Sequence, residues 1–557
     1  MKSIKNLMLL ATLLALPFSF TSCDDILGEW SKPVPNPVTP SDGGEGDTPT
    51  PKTAGSISFA SETLTRGTLD PIINALTKTG DGAVTYSSSN AAVATVDPNT
   101  GEVTPVGTGT TTITATVSDS EGYTYAVKSQ SYDLTLQEAG YSYLKWNDGT
   151  KQVEQAFVTD NIVEVTNTTN TTWNDASKIY VVKGSVTLSK ITISRNSKII
   201  LCDGATLTVT GGVDGGDHSD LIIYAQSEGE GMGELSVSTV KGTNIEIHGG
   251  KLIVTATGDN GSSAISASHL LSIYGGDITA QGASNASDMG GAGINAPTTI
   301  TGKAKVTATG GASTSGSNSG GNGIRIFTGM LTISGDAEVI ATGGRSVNKG
   351  GDGIDSGGSI TISDNAHVTA TGGESTSSTG GIGIIAVSSI TISGDAHVTA
   401  TGGKGVNGGI GIGVHSNVSA EENAVVTITG GNGTNGNGGY GAGMNNYNFT
   451  INGANVTIRG GNAGGTGDHN GGDACYRTSV KYQGGKFGLA GGAGSTSGSN
   501  GKAMKLDGVG INLSNNSGAD ATFQYSTDGS AWTDFTVIAG SSDNSENVQK
   551  RYLRTKE

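Results

Sequence analysis

The pair Gly-Gly returns almost every thirty residues through the second half of this chain, beginning at Gly290, Gly320, Gly350, Gly380, Gly408, Gly438 and Gly471. Each return opens nearly the same text. GGDGIDSGGSITISDNAHVTATGG from Gly350 is followed by GGIGIIAVSSITISGDAHVTATGG from Gly380. A fixed period of this size means one supersecondary unit stacked on copies of itself. Within the unit, short apolar–polar alternations are separated by Gly, Asn, Asp and Ser, the pattern of strands and turns. The chain is therefore expected to be all-β, its larger part a β-solenoid with one coil per repeat. About eleven coils, rising ~4.8 Å each, give a rod on the order of 50 Å long.

Composition supports a rod over a globule. The chain has 557 residues, 92 of them glycine, and few aromatic side chains to fill a wide core. The inward positions are Ile360, Ile362, Val368 and Ala370, then Ile390, Ile392, Val398 and Ala400 one period on. Thr361, Thr369, Thr371, Thr391, Thr399 and Thr401 are expected to point outward. The net charge of −17 argues against nucleic acid, and against acidic polysaccharides unless a divalent cation bridges the two. Cys202 and Cys475 lie about nine coils apart, roughly 40 Å at strand spacing, beyond disulfide reach.

Stacking turns columns of sequence into columns in space. The residue after the closing Gly-Gly reads Arg345, Glu374, Lys404, an alternation of sign that favours one register. A second column brings Asp336, Glu338, His367, Asp395 and His397 to one face over three coils. Carboxylates and imidazoles at this spacing could hold a divalent metal such as calcium, or hydrogen-bond sugar hydroxyls. The alternative is a solvated polar face. A third array is Thr-x-Thr: Thr255 and Thr257, Thr307 and Thr309, Thr369 and Thr371, Thr399 and Thr401, Thr427 and Thr429. Threonine suits an exposed strand without further purpose.

Some signals are discounted. GGDGID at Gly350 matches the start of a nonapeptide calcium repeat, but that motif works by repetition every nine residues. No Ser/His/Asp set stands out. No Trp lies within the repeats, so Tyr440, Tyr447 and Phe449 are the best aromatic platforms for a sugar, with core packing as their default.

Residues 1–22 read as a secretory signal: Lys2 and Lys5, an apolar run from Leu7 to Leu16, then Phe20-Thr21-Ser22-Cys23. Small residues before a cysteine resemble a bacterial lipobox, which implies cleavage before Cys23 and its lipidation. Asp24 and Asp25 resemble the acidic export signal of bacterial surface lipoproteins. That implies a location on the outer membrane, facing outward, with the lipid as the sole membrane contact. The Pro-rich segment up to residue 54 is a tether.

Residues 55–138 change to alternating strands. Tyr86-Ser87-Ser88-Ser89-Asn90, Val93-Ala94-Thr95-Val96-Asp97, Gly101-Glu102-Val103 and Gly107-Thr108-Gly109 resemble the bacterial immunoglobulin-like domain, group 2. The resemblance implies a β-sandwich acting as a spacer or adhesive module.

The solenoid is expected over 139–507, with Tyr141–Trp173 capping its start and 508–557 forming a C-terminal β cap, because an uncovered coil exposes strand edges. Its entrance, KIYVVKGSVTLSKITISRNSKIILCDGATLTVTGG from Lys178, resembles bacterial parallel β-helix proteins of carbohydrate-binding type. That resemblance implies a right-handed coil and binding of cellulose-like or pectin-like chains, in some members with calcium.

The expectation is a non-catalytic surface lipoprotein presenting its β-helix to a polysaccharide or cell-surface glycan. The alternatives are a structural or adhesive stalk that binds a host or neighbouring-cell surface protein, and a calcium-dependent polysaccharide lyase. For the lyase, Asp352, Asp355 and Arg325 on adjacent coils are the nearest approximation to a site.

Overall fold

Each repeat spends its apolar residues on three short strands and its glycines on the corners. The computed structural model describes residues 51–556, apart from 67–71, 73, 137–139, 217, 259–260 and 506–511; Cys23 and the tether up to residue 50 lie outside them. Every regular element among the described residues is a strand.

The N-terminal module pairs Gly109–Val117 with Val84–Ser88 and Ser129–Leu136 in a four-stranded sheet completed by Thr63–Arg66. Thr53–Phe59 pairs with Leu76–Thr79 and Tyr123–Tyr125 in a second sheet. Ile113, Leu134 and Tyr132 fill the core. The Asp97–Gly101 turn closes as its composition demands. Asp97 Oδ1 accepts the amides of Asn99 and Thr100 at 2.9 and 2.8 Å, and Gly101 takes φ 75°. Those amide donors hold the Asp97 carboxyl below the usual range.

In the solenoid one coil contains Ile354–Ser356, Ile360–Ile362 and His367–Thr371, and the next contains Ile384–Ala386, Ile390–Ile392 and His397–Thr401. Corresponding strands pair in parallel with registers Ile354↔Ile384, Ile360↔Ile390 and His367↔His397. Third strands stack from Ser185–Leu188 to Lys486–Ala490, about ten turns of about 29 residues. The inward residues named from the sequence, Ile360 to Ala400, are all at most 1% exposed. Parallel stacking places like on like, so the core is columns of Ile, Val and Ala with no large side chain needed.

The Gly-Gly pairs have a specific cause. The pair closing the third strand (Gly372-Gly373) lies against the pair opening the next coil (Gly380-Gly381). Their amides link into one zigzag: Gly351 to Gly344, Gly373 to Gly351, Gly381 to Gly373 and Gly403 to Gly381, at 2.7–2.9 Å. The same links run from Gly311 bonding to Gly291 through Gly501 bonding to Gly492. A Cβ on Gly373 would stand 2.0 Å from Gly344 O, and on Gly380 2.0 Å from Gly403 O. Glycine is required here by close backbone approach, not by a positive φ. The residues between the pairs become arms that stack through bridges Asn285↔Ser313, Ser313↔Ser346 and Ser346↔Ser375.

The first coils are less regular than the later ones, as their sequence suggests: third strands begin at Ser185, Thr206, Glu234 and Lys251, well short of thirty residues apart in two of three steps. Two details depart from the sequence reading. Thr255 pairs with Gln281, which pairs with Thr309, so Thr255 and Thr257 are two residues out of phase with the threonine array; Thr279 and Thr457 belong to it instead. Tyr141–Trp173 does not act as one cap. Trp173 is buried and stacks on Tyr180 at 3.8 Å in the first coil, whereas Tyr141–Asn147 and Gln152–Val158 form a separate hairpin packed along the side of the rod. At the far end Tyr552–Thr555 pairs antiparallel with Lys486–Ala490, and Ser542–Asp543 with Leu513–Asn515, covering both edges.

Candidate functional site: a groove beneath an aromatic hairpin

The hairpin is held by a ladder of rings. Tyr224, near the end of the strand Leu221–Ala225, and His248 and Tyr274, directly after the corresponding strands of the next two coils, stack at 4.8 and 4.9 Å. From the hairpin, Tyr143 lies on Tyr224 at 4.5 Å and Trp146 on Tyr274 at 5.3 Å and 12°. The Trp146 amide donates to His248 Nδ1 at 2.9 Å, and its indole N–H to Asp148 Oδ1 at 3.0 Å. Burial pushes the Tyr274 hydroxyl up, so it stays protonated.

Beyond Tyr274 the same column continues as small hydroxyl residues, Thr301 and Ser334, and the ladder opens into a groove of about 1150 Å³. Trp146, Leu144, Val153 and Tyr274 give it an apolar wall. Its floor is hydroxyl-bearing: Ser272, Thr299 and Thr332 stack in register. Its rim carries Asp148, Lys151, Glu228, Lys303, Asp336 and Asp364. Lys151 stands 3.8 Å from Asp148 and Lys303 3.9 Å from Glu228. Asp336 Oδ1 accepts from Asn365 at 3.0 Å, and Asp364, at φ 59°, accepts the amide of Gly335 at 2.9 Å.

The five candidates from the sequence divide. Asp336 lines this groove. Glu338, His367 and His397 stack on the third strands, with the two imidazoles parallel at 4.8 Å and 1°. Each imidazole Nδ1 donates to a backbone carbonyl two residues back, Asn365 at 2.9 Å and Asp395 at 3.0 Å. Glu338 faces Lys305 at 3.6 Å, and Asp395 Oδ1 accepts from Asn423 at 3.0 Å. The column is real, and its carboxylates are engaged by neighbours one coil away. Among the described residues no three His, Cys, Asp or Glu side chains are grouped to hold a metal.

Arg345 and Glu374 pair at 4.0 Å, while Lys404 is not within ion-pair distance of Glu374. Asp352, Asp355 and Arg325 also meet: Arg325 stacks in register on Asp355. Asp352 is 7% exposed, accepts the Ile382 amide at 2.7 Å and faces Lys349 at 3.3 Å. Burial, reinforced by Asp352, raises the Asp355 carboxyl. The Arg325 guanidinium lies 3.9 Å over the Phe327 ring. All three groups thus have structural partners. Tyr447 and Phe449 are buried, and Tyr440 stacks on Tyr476 at 4.2 Å. Both Cys202 and Cys475 are unpaired, and burial pushes the Cys202 thiol up to about 11.

Sequence reasoning missed Trp146 and Tyr274. A signal existed, since His248 and Tyr274 stand at the same place, directly before a Gly-Gly. The partner hairpin lies outside the repeat and follows no period.

Residues 72–127 match the family model of the bacterial Ig-like domain, group 2. No curated protein matches the chain. An Ig-like module followed by a parallel β-solenoid is the architecture of an adhesive or structural stalk.

Proposed function

We propose that the chain is a non-catalytic surface lipoprotein, anchored by lipid on Cys23 at the outer membrane, whose solenoid binds a glycan. The groove carries the glycan part of this reading. It joins an aromatic wall to a floor of aligned hydroxyls, the apolar-plus-polar lining of a small-ligand site. The signal, Cys23 and the acidic pair after it support the address. On a rod held away from the membrane by the tether and the Ig-like module, such a groove meets cell-surface or free polysaccharide. A glycan array probed with the full chain tests the binding. Labelled palmitate incorporation that is lost in Cys23→Ala, together with protease shaving of intact cells, tests the address.

A second reading has its own support. The rod holds its register through side chains that accept the amide one coil on, as Asn407 accepts Asn437, Asn437 accepts Asn470, and Asn432 accepts Asn462 at 2.8–3.0 Å. A frame so regular suits a stalk that binds a protein on another cell. Capture of one specific surface protein by the rod, with no glycan bound, favours it.

A further inference from the structure

Resting on the glycan reading, we infer that the groove selects uncharged, hydroxyl-rich sugar chains, binds them without a cation, and rejects polyuronates. Charge around the opening decides this selectivity. The rim holds four carboxylates and two lysines. Both lysines stand beside carboxylates, Lys151 at Asp148 and Lys303 at Glu228. Asp336 and Asp364 remain, on adjacent coils at the corner after the second strand, and both oxygens named above accept from Asn365 and Gly335. With four carboxylates against two lysines the rim is net negative, and it repels a uronate. Among the described residues no three carboxylates or imidazoles are grouped to hold a cation here.

For a neutral chain the same groups are assets. Carboxylate oxygens accept from sugar hydroxyls, and charge-assisted bonds of this kind are the stronger ones. Thr299 and Thr332 repeat one coil apart on the floor, so hydroxyl contacts recur at a strand spacing of about 4.8 Å along the rod. The stacked Trp146 and Tyr274 rings give the groove an apolar face for a sugar ring. The lining therefore fits an oligomer of a few residues.

The test is an array carrying neutral hexose and pentose oligomers beside galacturonan, alginate and glycosaminoglycan fragments, probed with the full chain in calcium and in EDTA. Neutral oligomers should bind equally in both buffers, and uronates at least about tenfold more weakly. Thr332→Arg fills the groove and should abolish binding. Thr391→Arg makes the same change two coils along the same column, outside the groove, and should leave binding intact. Asp336→Asn with Asp364→Asn keeps the hydrogen bonds and the positive φ, and should narrow the discrimination against uronates. Binding of uronates alone, or loss in EDTA, overturns this inference and leaves the glycan reading standing. Neutral binding that survives Thr332→Arg overturns the groove as the site. No binding to any glycan overturns the glycan reading itself.

Discussion

The amide of Gly373 donates a 2.7 Å hydrogen bond to the carbonyl of Gly351, the opening glycine pair of the same coil. This bond closes the body of one coil; the next, from Gly381 to Gly373, closes the base of the arm, and their alternation makes a backbone spine. Gly373→Ala would set a methyl group 2.0 Å from Gly344 O, against the Gly343–Gly344 backbone rather than a side chain that could yield. We expect a loss of about 3 kcal/mol in chemical denaturation. Gly316→Ala, in an arm with open space around it, should stay within about 0.5 kcal/mol of the parent.

Asp352 accepts the buried Ile382 amide across the coil step. Asp352→Ala should cost about 1–3 kcal/mol, because that amide is left without a partner away from water. Asp352→Asn keeps an acceptor and loses only the Lys349 attraction, so it should cost less. The order of the two denaturation midpoints checks the claim; equal midpoints would assign the cost to charge instead.

Trp146 pins the hairpin to the rod. Trp146→Ala removes its stack on Tyr274 and the bond to Asp148, at a cost of about 3–5 kcal/mol for a buried indole. Hydrogen exchange should speed up across Tyr141–Val158 while the strands around Ile360 and Ile390 keep their protection. Loss of protection throughout would show the hairpin to be part of the rod's own folding unit.

Tyr132 in the Ig-like module is 2% exposed, packs edge-on to Phe59, and its buried hydroxyl has no partner. Burial pushes its pKa up to about 12 from 10.0. A folded pKa above the unfolded value means the native state holds the proton more tightly. The associated stability is complete below pH 10 and is lost as pH rises toward 12, by about 3 kcal/mol at most. Tyr132→Phe should be neutral or stabilising at pH 7 and should flatten that decline, measured by urea denaturation at pH 8, 10 and 11.5.

Much of the rod is legible in the sequence because residues one period apart become neighbours at one strand spacing. The stacking of His367 on His397, the burial of Ile360 and Ile390, and the pairing of Arg345 with Glu374 all follow from that single rule. The threonine array slipped at Thr255 because the early coils depart from thirty residues, and a period cannot be extrapolated through an irregular turn. Of the five candidate residues only Asp336 lines the groove; Glu338, His367 and His397 stand on the third strands, and Asp395 sits in the turn before one, two coils along from Asp336.

The repeat text by itself determined the coil, its inward columns and the places where only glycine fits, since parallel stacking makes each coil a template for the next. Tertiary structure alone decided the groove. Trp146 and Tyr274 meet through a non-repeating hairpin that folds back along the rod, and a contact between a unique segment and one particular coil leaves no periodic trace in the chain.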